Sequence, residues 1–364
     1  MSQDTQQEVR VERKGASRGK RLPKAFTPTM IVVGLGLSAA FLHFFGSEGI
    51  TPIALVVFGI IFYLIVSTVT AFIVEGRRYA TDRLVSGLIV VAFLVAIAPL
   101  ISLLWMVVSN GYSNLTWDFL TNDKQGITLA DHVTGAGHAL VGTLVITGTT
   151  ALLAVPLGVM TAVYLVEYGR GPLARTVTFL VDIMTGIPSI VAGLFAAAMI
   201  PTIAGYFVGE AAALQMKTGF MGSVALLILM TPIVVRNTEE MLRIVPNELR
   251  EASYALGVTK ARTIIKVVLR TALPGIVSGI VIAIARIIGE TAPLLITTGT
   301  TDIFNWSLFT GSMETLPTYV YSSWGQESTK KLAWSGALTL IILVLLLNLI
   351  ARIIAKAFAP KGEK

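Results

Sequence analysis

Arg286 and Glu290 stand four residues apart inside an apolar run over residues 273–298. On a helix the two would share one face, with the carboxylate about 6 Å further along the axis. An arginine at the middle of a membrane span costs roughly 2.5–3.5 kcal/mol on insertion scales, so it calls for a compensating partner. Two readings are open. The pair is a neutralised ion pair that fixes helix packing, or it is a gated site for an oxyanion, Arg286 leaving Glu290 to bind a passing anion. The guanidinium fork matches a tetrahedral oxyanion bidentately, which suits the second reading. Gly275, Ser278, Gly279, Ala283, Ala285 and Gly289 accompany the pair. Side chains this small let helices approach closely or line a path.

A second irregularity lies in the stretch from Asp182 to Ser189, Asp-Ile-Met-Thr-Gly-Ile-Pro-Ser. Pro188 removes a helical hydrogen bond and Gly186 weakens the same turn, which predicts a break near mid-membrane. Backbone groups freed there are tolerated only against protein or a water-filled cavity. Thr185 and Ser189 then either donate to a solute or satisfy local backbone, and Asp182 sits nearer the end of the run, free to snorkel or pair. Pro156, in another apolar run, predicts a structural kink.

The third feature is polar, the sequence Glu-Ala-Ser-Tyr-Ala-Leu-Gly from Glu251 to Gly257. It follows Asn247 and Glu248, which suit a helix N-terminus, and Gly257 supplies a C-terminal stop. Leu249, Ala252 and Leu256 fall on one face at i, i+3 and i+7. A short amphipathic helix of this kind docks into a partner's groove or rests on lipid headgroups. A more basic stretch over residues 260–269 follows it and suits headgroups.

The elements that must hold these features are membrane spans. Of 364 residues, 54% are hydrophobic and 13% charged, a ratio that excludes an ordinary soluble domain. We expect an all-α polytopic protein with eight spans, over residues 27–46, 51–74, 84–108, 138–166, 176–200, 220–235, 273–298 and 332–351, the sixth extending toward Leu242. Alternate loops hold 23 of the 28 Lys and Arg residues, opposite loops hold four, and Arg286 is left within a span. The positive-inside rule then puts both termini in the cytoplasm. Positive charge distributed this way reports topology and anionic lipid headgroups, and gives no support for nucleic-acid binding. There is no cysteine, so disulfides and thiolate chemistry are excluded, and His43, His132 and His138 lack metal-ligand spacing. We expect a disordered basic tail over 1–26, a helical hairpin with a linker over 27–83, a six-span core over 84–358 and a short tail over 359–364. The first span is read as an uncleaved helix, because only a four-residue turn separates it from the second.

Glu251-Ala252-Ser253-x-x-x-Gly257 resembles the EAA loop of ABC-importer permeases, the helix that inserts into a cytoplasmic ATPase. Ser253 stands where that pattern has a second alanine, and Arg270 where a proline often follows. Three further stretches resemble the phosphate-specific permeases: 142–168, with Val-Glu-Tyr ending at Tyr168; Gly186-Ile-Pro-Ser-Ile-Val-Ala-Gly193; and Ala285-Arg-Ile-Ile-Gly-Glu-Thr-Ala-Pro-Leu-Leu295. The last of these, with Leu316-Pro-Thr-Tyr-Val-Tyr-Ser, is similar to the A-type subunit. The likeness covers roughly residues 84–358.

That resemblance implies a type I ABC importer permease bundle with a cytoplasmic coupling helix formed by Glu251, Ala252, Ser253 and Gly257. It implies a C-type permease partner, two ABC ATPase subunits that bind ATP and Mg, an extracytoplasmic phosphate-binding protein, and a bacterial plasma membrane. Arg286 and Glu290 match the family's transport-sensitive charges, with Thr185 and Ser189 along the substrate pathway and the helix break at Gly186 and Pro188. No G-x-x-x-x-G-K-[ST] occurs, so this chain is not expected to bind nucleotide or to act as an enzyme itself. Three alternatives differ in their consequences. A permease for sulfate or molybdate would show competition by those anions. A channel or secondary anion transporter would survive loss of the ATPase. A scaffold or sensor would carry no flux.

Overall fold

The computed structural model describes residues 22, 23, 25–45, 51–124, 135–210, 213, 216–325 and 327–358. The expected disordered tail, the hairpin turn, His132 and the final tail lie largely or wholly outside them. Among the described residues, eight helices are long and apolar enough to cross a membrane. The chain forms two compact units, residues 1–104 and 105–364.

In the first unit α1 (Phe26–Phe45) and α2 (Pro52–Val74) pack as a hairpin. Ser38 Oγ donates to the Leu55 carbonyl (2.9 Å), and Phe41 meets Phe58 and Phe62. The expected linker is shorter than the sequence suggested. Gly76 makes the turn at φ +90°, and α3 (Arg77–Gly111) begins at the next residue. Glu75, nearly buried, accepts from Arg83 at 3.0 Å and from the Leu22 amide at 2.7 Å, tying the ends of this module together.

The second unit is built on α5 (Gly137–Val163), α8 (Gly219–Ile244) and α11 (Leu269–Ile288). The spanning window of α8 is 61% buried, against 33% or less for every other span, so α8 is the central post. Ile146, Leu226, Met230, Val234, Ala283 and Ile287 form one core along it. A second core at the basic end gathers Ala162, Val235, Leu242, Val268 and Ile276. Gly279 of α11 lies against Asn237 of α8, where an added Cβ would come within 2.7 Å of the Asn237 Cβ. The small residues noted around Arg286 are thus spent partly on helix packing.

The remaining helices are α4 (Trp117–Thr121), α6 (Pro172–Thr185), α7 (Ser189–Val208), α9 (Asn247–Ala255), α10 (Lys260–Thr263), α12 (Ala292–Thr297), α13 (Leu316–Trp324) and α14 (Lys330–Phe358). A π-helical turn, Ile264–Val268, joins α10 to α11 in one span, Lys260–Ile288. Two expected spans shift as a result. The fifth was expected over 176–200, but the break at Gly186–Pro188 detaches α6, and the span is α7. The seventh was expected to run to 298, but it ends at Ile288.

Candidate permeation site and coupling helix

Two helix interruptions lie side by side. Gly186 ends α6, its amide donating to the Ile183 carbonyl at 3.0 Å. Pro188 then occupies the N-cap of α7, where the lack of an N–H is harmless and its fixed φ starts the helix. The second interruption is Gly289–Thr291, between α11 and α12. Gly193, about one turn into α7, abuts Pro293 at the start of α12, and an added Cβ there would lie 2.7 Å from the Pro293 Cα.

Arg286 was expected at the centre of its span; it stands in the last turn of α11 with an exposed side chain. Glu290 follows the break, half-buried and outside any helix. Among the described residues no ion pair joins them. The expected i, i+4 pairing fails here because Gly289 ends the helix between them. Ser278, Ile282 and Arg286 form an exposed stripe on α11.

A second arginine, Arg236 of α8, stands beside the first interruption. It pairs with Asp182 of α6, one turn before the break, and with Glu239 (2.7 Å), which also accepts from Arg243 at 3.0 Å. Glu239 is nearly buried, while Arg236 keeps about a third of its side chain exposed. Arg236 follows the sixth expected span, 220–235, by one residue, and sequence reasoning missed it; the signal was the Arg-x-x-Glu spacing on a helix that continues past the apolar run. Thr185 donates to the Val181 carbonyl (2.9 Å), satisfying local backbone, and Ser189 opens α7 half-buried.

The helix read at Glu251–Gly257 is α9. Pro246 rather than Asn247 occupies its N-cap, and Asn247 is the first helical residue. It stops in a Schellman motif: Gly257, at φ +74°, donates to Tyr254 at 2.9 Å and Val258 to Ser253 at 3.2 Å. Leu249, Ala252 and Leu256 are exposed, Leu256 at 83%. Ser253 points the other way, buried, its hydroxyl 2.8 Å from that of Thr263. The departure from alanine at this position is therefore matched inside the chain, away from the exposed face.

At the other end of α5 lies a buried charge cluster. Glu314 is 1% exposed; it meets His138 Nε2 at 3.0 Å, Ser322 Oγ at 3.0 Å and Lys124 Nζ at 3.9 Å. Lys124 also sits 4.1 Å from the centre of the Tyr319 ring. Burial pushes the Tyr319 hydroxyl above its ordinary range, and the Glu314 charge adds to the shift. His138 and Glu314 are 176 residues apart, so no local spacing could have revealed that pair. No group of three or more His, Cys, Asp or Glu suited to a metal ion occurs among the described residues.

Residues 154–364 match the family described as binding-protein-dependent transport system inner membrane component. The chain is 44% identical over 281 residues to phosphate transport system permease protein PstA 1 of Mycobacterium tuberculosis, covering 76% of this chain and 88% of that one. It is 36% identical over 300 residues to phosphate transport system permease protein PstA of Yersinia pestis, covering 79% and 93%. In fold it resembles a chain of a bacterial alginate ABC transporter crystallised with its alginate-bound periplasmic protein. That superposition has a TM-score of 0.58 at 13% identity and covers 78% of this chain and 97% of the other. The break-and-bundle architecture, the exposed α9 and these likenesses agree, and the chain belongs to the binding-protein-dependent transport system inner membrane components.

Proposed function

We propose that this chain is a translocation subunit of an ATP-driven importer of inorganic phosphate in the bacterial plasma membrane. The observation that carries the reading is the pairing of two helix interruptions with an arginine at each, Arg286 and Arg236. Broken helices inside a bundle leave backbone donors facing a path, and the first amides of α7 open at such a break. Guanidinium groups beside it supply matching charge for a dianion or monoanion. Among the described residues Arg286 has no carboxylate partner, which leaves its fork available. Arg236 is neutralised by Asp182 and Glu239, so an anion there competes with carboxylates and is released rather than trapped. The relatives' names specify phosphate among tetrahedral oxyanions.

The energy enters from outside the chain. The exposed apolar face of α9 suits the groove of a cytoplasmic ATPase subunit, two of which would bind ATP and Mg. A C-type permease would complete the path opposite the Ser278–Arg286 stripe, and an extracytoplasmic phosphate-binding protein would deliver the anion. Alternating access follows when closure of the ATPases moves α9 and re-tilts the core. Phosphate uptake in cells lacking the gene, restored by the wild-type chain, tests the reading. Uptake that is restored, resists excess sulfate and molybdate, and vanishes with the ATPase supports it. Equal competition by sulfate, or uptake that persists without the ATPase, overturns it.

A further inference from the structure

Glu167 and Arg250 form a nearly buried ion pair between the basic end of α5 and the middle of α9. Arg250 Nη2 and Nε donate to Glu167 Oε1 at 2.9 and 3.1 Å, and the two side chains are 13% and 6% exposed. The same guanidinium donates to the carbonyls of Val245 (2.7 Å) and Leu242 (3.0 Å), filling acceptors that the end of α8 leaves open. Lys260, on the far side of the loop, hydrogen-bonds to the Glu167 carbonyl and stacks its ammonium 4.4 Å from the centre of the Tyr168 ring. Both arms of the loop that carries α9 therefore close on one point, the π-helical turn Tyr164–Tyr168 that ends α5.

We infer that the Glu167–Arg250 pair is the strut through which displacement of α9 reaches α5, a positioning pair for transport. This rests on the importer reading given above. α9 projects its apolar face outward, so a push there must leave through its inner face, which carries Arg250 and Ser253. α5 packs along the central α8 and carries His138, the partner of Glu314, at its opposite end. One rod thus joins the loop to the far face. Stability alone does not call for charge here, since well-packed apolar groups often replace a buried ion pair without loss. Two donors of one planar guanidinium converging on a single carboxylate oxygen instead fix both distance and direction.

The test uses the complex of this chain with its partner subunits in proteoliposomes, reading ATP hydrolysis and phosphate uptake together. In Glu167→Gln, which keeps the side chain's shape and an amide oxygen that can still accept from Arg250, we expect assembly and ATP hydrolysis to persist, while phosphate moved per ATP falls about tenfold, within the range that coupling mutations span. Glu167→Asp should retain most of the ratio, whereas Arg250→Lys, which keeps charge without the fork, should lose it. A wild-type ratio in Glu167→Gln overturns the strut, as does loss of hydrolysis and uptake in parallel with lost assembly. If the wild-type complex itself moves no phosphate, the importer reading falls and takes this inference with it. A normal wild type with a normal Glu167→Gln refutes the strut alone.

Discussion

Gly193 and Pro293 bring two interrupted spans into backbone contact: a Cβ at 193 would stand 2.7 Å from the proline Cα and 3.0 Å from its carbonyl oxygen. Neither neighbour is a flexible side-chain end, so α7 and α12 would have to separate. Gly193→Ala should therefore cost about 1–3 kcal/mol, the usual penalty of overpacking. A thermal melt of the purified complex should show the loss, and uptake should fall by more than the loss of assembled complex explains. An unchanged melt and unchanged uptake would mean the two breaks are not held in register by this contact.

The exposed face of α9 gives a second expectation. Leu256 is 83% exposed and Leu249 42%, so replacing either with glutamate should disturb the fold by less than about 0.5 kcal/mol. The ATPase subunits, however, should no longer co-purify with the variants. Retention of the ATPase by the Leu249→Glu, Leu256→Glu double variant would show that α9 is not the docking helix.

Glu314 and His138 fasten the loop before α13 to the start of α5. Removing one partner of a buried hydrogen bond leaves the other unsatisfied and costs about 1–3 kcal/mol. His138→Ala and Glu314→Ala should each lower the melting temperature, and the double variant should lose less than the sum of the two. Additive losses would show that the two side chains are not coupled.

Tyr319 supplies a pH-dependent prediction. Its folded pKa lies above the ordinary value, so the folded chain keeps a proton that an unfolded chain would release. Stability from this group is whole below about pH 10 and declines as pH rises from there toward the folded pKa. Alkaline titration of tyrosinate absorbance should be the same for wild type and Tyr319→Phe up to about pH 11. A difference appearing near pH 10 would show that Tyr319 titrates as an exposed tyrosine.

Much of the architecture was legible because membrane spans need long apolar runs, and those runs are written locally. Eight spans, the stop at Gly257 and the apolar face of α9 follow from composition, a left-handed glycine and helical periodicity. The two shifted spans had a different cause. Hydropathy does not register a break, so 176–200 was kept as one span although Gly186 and Pro188 foretold its interruption, and 273–298 read as continuous although Gly289 ends a helix inside it. The Arg286–Glu290 pairing failed for the same reason: i, i+4 geometry holds only where the helix continues. Glu167 and Glu314 were hidden because their partners, Arg250 and His138, are brought to them only by tertiary packing; Arg236 had a local sign in Glu239, but Asp182 reaches it only through the fold. Ser253 departs from the second alanine of the pattern, and the reason, a hydroxyl partner in Thr263, shows only in the fold.

Phosphate uptake by the Arg286→Gln complex in proteoliposomes tests the central claim most directly, with ATP hydrolysis and subunit composition measured on the same sample. The charge on α11 is proposed to meet the anion, so the variant should assemble with all its partners and move almost no phosphate. Arg286→Lys should recover only part of the flux, because a point charge lacks the fork. Wild-type uptake by an assembled Arg286→Gln complex would contradict the account, reducing Arg286 to a packing residue and leaving the anion path elsewhere.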